Sequence, residues 1–266
     1  MYKEDDDTAL LALRGGLRGR FRRSLDSMEN AFEALRDSLE RTTSPAQRAE
    51  LQPIFDELCT QLLSLRRLGD QTSDAATAAL LRGTPRPMDL VSQLREICDI
   101  LQEEAARCGL PFTVELCCAG VEFLPTMGDA TLLNGLVTNL VSNTLAVDGA
   151  AHIVLHCAPG CFVYRDNGPG LPPDARALLT EEKWSERLLH AGGLGLPLVA
   201  AYTSAMGWAL TVGEGPGMSL QFTLPAAPPL DGMVLTSPTE RLADRQNRRR
   251  LIRRELAVLV ADTSMQ

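Results

Sequence analysis

Aromatic side chains make up only 5% of the 266 residues. The core must therefore rest on Leu, Val and Ala, and the chain offers no stacking platform for single-stranded nucleic acid. Lysine is nearly missing, with Lys3 and Lys183 the two among 26 basic residues, and there are three histidines, His152, His156 and His190. The seven cysteines are odd in number and contain no C-x-x-C pair. That excludes a fully paired disulfide framework and argues against a zinc ribbon or a thioredoxin motif, leaving reduced, mostly buried thiols as the expectation. No run approaches 18 apolar residues, and MYKEDDDTAL has no basic segment leading into an apolar one. The expectation is a cytoplasmic chain with no membrane segment, either as given or as a soluble piece of a longer receptor. A formal net charge of −8 disfavours a general nucleic-acid or membrane-surface binder. What is present is ordinary for a folded protein: 45% hydrophobic and 23% charged residues, at a length that fits one or two domains.

Apolar residues Leu10, Leu13, Leu17, Phe21, Leu25, Met28, Phe32, Leu35 and Leu39 step by three and four, which predicts a long helix from Thr8 with a narrow apolar stripe. Gly15, Gly16 and Gly19 fall inside it and predict bending or fraying of the first turns. Ser44 before Pro45 reads as a helix cap with proline at the first helical position. Leu51, Ile54, Leu58, Leu62, Leu65 and Leu68 then form a second stripe. Two long helices on a short loop run antiparallel, and a lone hairpin cannot cover both stripes. Pairing with a second copy into a four-helix bundle is the expected solution, with docking on the chain's own C-terminal part as the alternative.

The segment GTPRPMDL reads as an interdomain linker. Beyond it come an amphipathic helix over 91–108, a strand at PFTVELC, a helix at ATLLNGLVTNLVSNTLA, paired strands at HIVLHC and CFVYRD, a helix near GLPLVAAYTSAM, and strands ALTVGE and SLQFTLP. This order predicts an α+β fold in which one sheet is covered by helices on a single face. The expected divisions are 1–82 for the hairpin, 89–225 for the sandwich and 226–266 for a Pro/Gly-rich tether with a basic helix. Seven arginines lie between Glu240 and Glu255. One reading has that helix docking on the body through Leu251, Ile252, Leu256 and Val258; the other makes it an interaction helix for an acidic partner or nucleic acid.

Three stretches share a chemical theme. Asn139 and Asn143 are four residues apart on one helix face and offer amide oxygens to a hard cation or amide donors to phosphate. Asp166-Asn167-Gly168-Pro169-Gly170 sets a carboxylate before a tight turn at a strand end. Gly192-Gly193-Leu194-Gly195 runs into a helix, where backbone N–H groups and the helix start accept phosphate oxygens.

In this order, GDATLLNGLVTNLVSNTLA, DNGPG, GGLGLPLV and GPGMSLQFTLP resemble the ATP-binding domain of bacterial sensor histidine kinases, a branch of the superfamily that also holds gyrase B, Hsp90 and MutL. The match covers about 89–225, and with the hairpin in front it extends to the kinases' dimerisation domain. The resemblance implies a dimeric helical hairpin followed by an α/β sandwich that binds ATP and Mg²⁺. Asn143 would coordinate Mg²⁺, with Asn139 beside the triphosphate. Asp166 would accept from the adenine amino group, and Gly168 and Gly170 would admit the base. Gly193, Leu194 and Gly195 would cradle the phosphates. The stretch 171–191 corresponds to a mobile lid, with Lys183 and Arg187 as candidates for phosphate contact or as solvated lid charges.

The departures shape the expected function. These kinases carry a phospho-accepting histidine on the first hairpin helix, and none of the three histidines here lies in the hairpin. Where the family usually has Ala and then, two residues on, a basic or aromatic side chain, this chain has Thr144 and Ala146. Where related ATPases place a general-base Glu it has Asn139. Ala191 stands where a glycine is frequent. The expectation is a degenerate histidine-kinase-like homodimer that binds Mg-ATP and engages a response regulator or partner kinase. The alternatives are a kinase acting on a partner's histidine in trans, or a nucleotide-free interaction module.

Overall fold

Ser44 and Gln47 form a reciprocal cap. The Ser44 backbone N–H donates to Gln47 Oε1 at 3.0 Å and the Gln47 N–H to Ser44 Oγ at 3.4 Å. The cap separates helix α1 (Tyr2–Thr42) from helix α2 (Pro45–Leu80) in the computed structural model, which describes residues 2–80, 85–118, 120–147, 151–180, 195–227 and 238–263. α1 starts earlier than its apolar pattern and stays helical through Gly15, Gly16 and Gly19. A glycine costs a helix about 1 kcal/mol without breaking it, so flanking Leu and Arg residues carry the helix through.

The hairpin is tied by Arg66 to Asp26 and Glu29 and by the Phe32 and Phe55 rings, 5.3 Å apart. Leu25 and Thr60 are buried, while Phe21, Met28, Leu35, Ile54, Leu58, Leu65 and Leu68 remain exposed. Among the described residues, an apolar row on both helices is thus left exposed.

The GTPRPMDL segment, expected as a linker, is partly a strand. β1 (Arg86–Asp89) pairs antiparallel with β3 (Pro125–Gly128) in a two-stranded sheet. Its prolines signalled a break, but both strands are edges, where proline is tolerated. Asp89 then caps helix α3 (Leu90–Cys108) by accepting from the Ser92 N–H at 3.2 Å, and its other oxygen takes the Leu124 N–H at 2.9 Å.

The main sheet has the order β2-β4-β5-β7-β6, with β2 (Phe112–Cys117) parallel to β4 (Ala151–Ala158). β5 (Cys161–Asp166), β7 (Ser219–Thr223) and β6 (Ala209–Val212) continue it antiparallel. Val114, Ile153, Leu155, Cys157, Phe162, Tyr164, Leu220 and Phe222 are fully buried on one face. Thr113, Glu115, His152, Arg165 and Gln221 alternate with them and are exposed, the period of two that a half-covered sheet demands. Helices α3, α4 (Ala130–Val147) and α6 (Gly195–Ala205) supply the opposing apolar layer, and α5 (Pro173–Thr180) packs beside α6. The fold is the expected α+β sandwich, helices on one face.

Helix α7 (Pro238–Thr263) packs against α3, α4 and α2, while α2 also touches α6. Ile252 and Leu256 are fully buried and Leu251 half-buried, whereas the Val258 side chain lies outside the described residues. The arginines meet acids of α3. Arg248 bonds Glu96 and the Gln93 carbonyl, Arg253 holds Glu104 through two bonds of 3.0 Å, and Arg249 reaches Glu103. Of the two readings of this helix, docking on the body describes it, and the acidic surface it meets is the chain's own.

Candidate functional site

Asp129 starts α4 by accepting the Thr131 and Leu132 N–H groups at 2.8 and 3.0 Å on one carboxylate oxygen. Most of the helix is buried, so a buried polar side chain along it needs a partner or a reason. Asn139 is buried, and its amide nitrogen donates back to the Gly135 carbonyl at 2.9 Å. Asn143, one turn on, is half-buried, and its amide nitrogen has no hydrogen-bond partner among the described residues. Such an unsatisfied donor costs about 1–3 kcal/mol.

Gly195, the first residue of α6, lies against that amide. A Cβ built there would collide with Asn143 Oδ1 and come within 3.0 Å of Nδ2. The absence of a side chain lets the start of α6, with its unpaired N–H groups and partial positive charge, approach Asn143.

Asp166 ends β5 on the other side of α4. Its Oδ1 accepts the Met218 N–H at 2.7 Å and the Gly168 N–H at 3.1 Å; its Oδ2 accepts the Thr144 hydroxyl at 2.6 Å. The Thr144 oxygen is also 2.7 Å from the Tyr164 hydroxyl. Tyr164 is fully buried, and burial drives its pKa upward, so the phenol stays protonated. Gly217 has φ 79°, and a Cβ on it would collide with the Asp166 carbonyl. Gly170, at φ 85°, stands across from the Gly217 carbonyl, which a Cβ would meet at 3.2 Å.

The structure thus brings Asn139, Asn143, Asp166, Gly168, Gly170 and Gly195 to one end of the sandwich. Gly193, Leu194, Lys183 and Arg187 lie outside the described residues, as does His190. The first part of the expected lid is α5, whose Leu179 is buried. His152 and His156 are on β4, His152 exposed with Nδ1 2.9 Å from Thr113 Oγ1. The sequence alone assigns no individual role to Tyr164, Gly217 or Met218, the last two quoted only within GPGMSLQFTLP, and Thr144 reads there only as a departure. For Gly217 the GPG turn was a visible signal; for Tyr164 the pairing exists only through the fold.

Residues 128–228 match the family described as histidine kinase-, DNA gyrase B-, and HSP90-like ATPase. The chain is 26% identical over 219 residues to the signal transduction histidine-protein kinase/phosphatase MprB of Mycolicibacterium smegmatis, covering 77% of this chain and 43% of that protein. It is 34% identical over 115 residues to the probable sensor histidine kinase TcrY of Mycobacterium tuberculosis, covering 40% of this chain and 24% of that protein. The chain therefore spans less than half the length of each of these relatives. Among solved structures, full-length ShkA in complex with AMPPNP aligns over 82% of this chain and 47% of its own, with a TM-score of 0.55 and 23% identity. The Acinetobacter baumannii histidine kinase AdeS aligns over 77% of this chain and 97% of its own, with a TM-score of 0.51 and 14% identity. At such identities the likeness is one of fold, and it extends in front of the sandwich into the helical part. Residues 128–228 are a histidine kinase-, DNA gyrase B-, and HSP90-like ATPase domain, carried by a chain that resembles sensor histidine kinases.

Proposed function

We propose that this chain binds Mg-ATP between α4, the end of β5 and the start of α6. It acts as a homodimeric, histidine-kinase-like signalling protein that engages a response regulator or partner kinase without phosphorylating its own hairpin. The observation that carries the nucleotide reading is the Asn143 amide against the start of α6, without a partner among the described residues. Among the described residues this buried donor has no partner; an acceptor oxygen of a ligand would satisfy it, and a helix start favours negative charge. Asn143 would face Mg²⁺ with its oxygen and the phosphates with its nitrogen, and Asn139 stands one turn behind. Asp166 would accept from the adenine amino group, with Gly168 and Gly170 giving the base room. Gly193, Leu194 and Gly195 would hold the phosphates, with Lys183 and Arg187 as further phosphate contacts. Bound ATP supplies a transferable phosphoryl group, and Mg²⁺ neutralises its charge. The AMPPNP complex of ShkA supports the choice of ligand.

Thermal unfolding with and without Mg-ATP tests the reading. Ligand at 100 times its dissociation constant stabilises by about 2.7 kcal/mol. That gain is expected for the wild type and expected to vanish in Asp166→Asn and Asn143→Ala. A wild type whose stability ignores Mg-ATP sinks the proposal. The lack of hairpin histidine carries the other half: incubation with γ-labelled ATP is expected to leave residues 1–80 unlabelled.

A further inference from the structure

Thr144 stands where the resemblance leads one to expect alanine, and the structure gives it a polar partner on each side. Its Oγ1 lies 2.6 Å from Asp166 Oδ2 and 2.7 Å from the Tyr164 hydroxyl. Both Thr144 and Tyr164 are buried. A threonine hydroxyl has one hydrogen and two lone pairs, and it ordinarily rotates to suit its neighbours. Here its orientation is dictated. An ionised carboxylate only accepts, so the Thr144 hydrogen points at Oδ2 and Tyr164 must donate into Thr144. The opposite oxygen, Oδ1, is held by the backbone N–H groups of Gly168 and Met218 at 3.1 and 2.7 Å. The carboxylate is thereby fixed at both ends, with lone-pair capacity on Oδ2 left for a further donor.

We propose that Thr144, backed by Tyr164, is a positioning residue for base selectivity, holding Asp166 so that it receives 6-aminopurine nucleotides and rejects 6-oxopurine ones. The inference deepens the nucleotide reading of this site and rests on it. A 6-oxopurine brings a carbonyl to the same edge. Turning the Thr144 hydrogen toward that carbonyl would leave two acceptor oxygens facing each other at 2.6 Å in a buried site. A carboxylate free to rotate could swing away from the carbonyl, but one pinned at both oxygens cannot.

The test is equilibrium titration of the full chain, at fixed Mg²⁺, with ATP, GTP and purine riboside triphosphate, which lacks the amino group. The wild type is expected to prefer ATP over both. Thr144→Val keeps the shape without the hydroxyl. It is expected to weaken ATP binding about tenfold, the worth of one hydrogen bond to a charged group, and to leave purine riboside triphosphate unaffected. Thr144→Ser is expected to restore the preference. Tyr164→Phe, expected to give a smaller loss in the same direction, serves if Thr144→Val does not fold. A wild-type ratio of ATP to purine riboside triphosphate affinity in the folded variant overturns the proposal and leaves nucleotide binding standing. A wild type that binds none of the three overturns the nucleotide reading and this inference with it.

Discussion

Cys98 and Cys157 face the interior between α3 and β4, and burial pushes both thiols up to about 12, reinforced by Asp99 and then Cys118 for Cys98 and by Cys118 first for Cys157. Only the thiolate reacts readily. Iodoacetamide at pH 8 is therefore expected to modify exposed Cys117 and to spare Cys98 and Cys157 until the chain unfolds, which peptide mass spectrometry reads directly. Gly217 makes a second residue-scale prediction. Its positive φ and its closeness to the Asp166 carbonyl mean that Gly217→Ala should cost about 1–3 kcal/mol, seen as a lower denaturant midpoint, and should weaken nucleotide binding with it. At this scale the sequence was informative wherever chemistry is local. Asn143, Asp166 and Gly195 could be picked out because their motifs sit beside a helix or a turn. Thr144 and Tyr164 could not, since they lie 20 residues apart and are joined only by the packing of α4 on β5.

Helix α7 is held by two kinds of contact that fail differently. Ile252 and Leu256 are fully buried, and Ile252→Ala or Leu256→Ala is expected to lower stability by about 2–5 kcal/mol, measurable by urea unfolding. Glu104 titrates below the ordinary glutamate value, first because Arg253 hydrogen-bonds its carboxylate and also through the charges of Arg253 and Arg107. A folded-state pKa below the unfolded one means that the contribution is complete above the ordinary glutamate range, about 4.3. It is lost as pH falls through the lowered value. Glu104→Gln is accordingly expected to be less stable than wild type at pH 7 and to converge with it toward pH 3. Periodicity made the helices and the β4–β5 hairpin legible, with β5 ending at Asp166 as its pattern requires. β1 escaped because RPMD carries proline and no alternation, and its pairing with β3 links segments nearly 40 residues apart. The arginines of α7 looked like a surface for a partner because the acids that meet them are some 150 residues earlier in the chain.

Across the whole molecule, the row running Phe21, Met28 and Leu35 on α1 and Ile54, Leu58 and Leu65 on α2 stays exposed even though α2 touches α6 and α7. Such a row is the surface a second hairpin would cover. Light scattering is expected to give twice the 28.9 kDa chain mass. Leu35→Glu with Leu58→Glu is expected to return the monomer while leaving the sandwich folded. A monomeric wild type would argue against dimerisation through the hairpin.

The grip of α7 on α3 also bears on how the protein comes to be made. Glu104 and Arg253 are 149 residues apart, and contacts of that span must wait for the loop between them to close. A ribosome releases α3 long before it has synthesised its cover. Until Leu256 emerges, the nascent chain carries an open apolar surface and a Glu104 paired only within α3, by Arg107, the condition in which chaperones are most needed and misassembly is most frequent. Synthesis that stops short of α7 is thus expected to yield an aggregation-prone chain, although every residue of the proposed nucleotide site has already been translated.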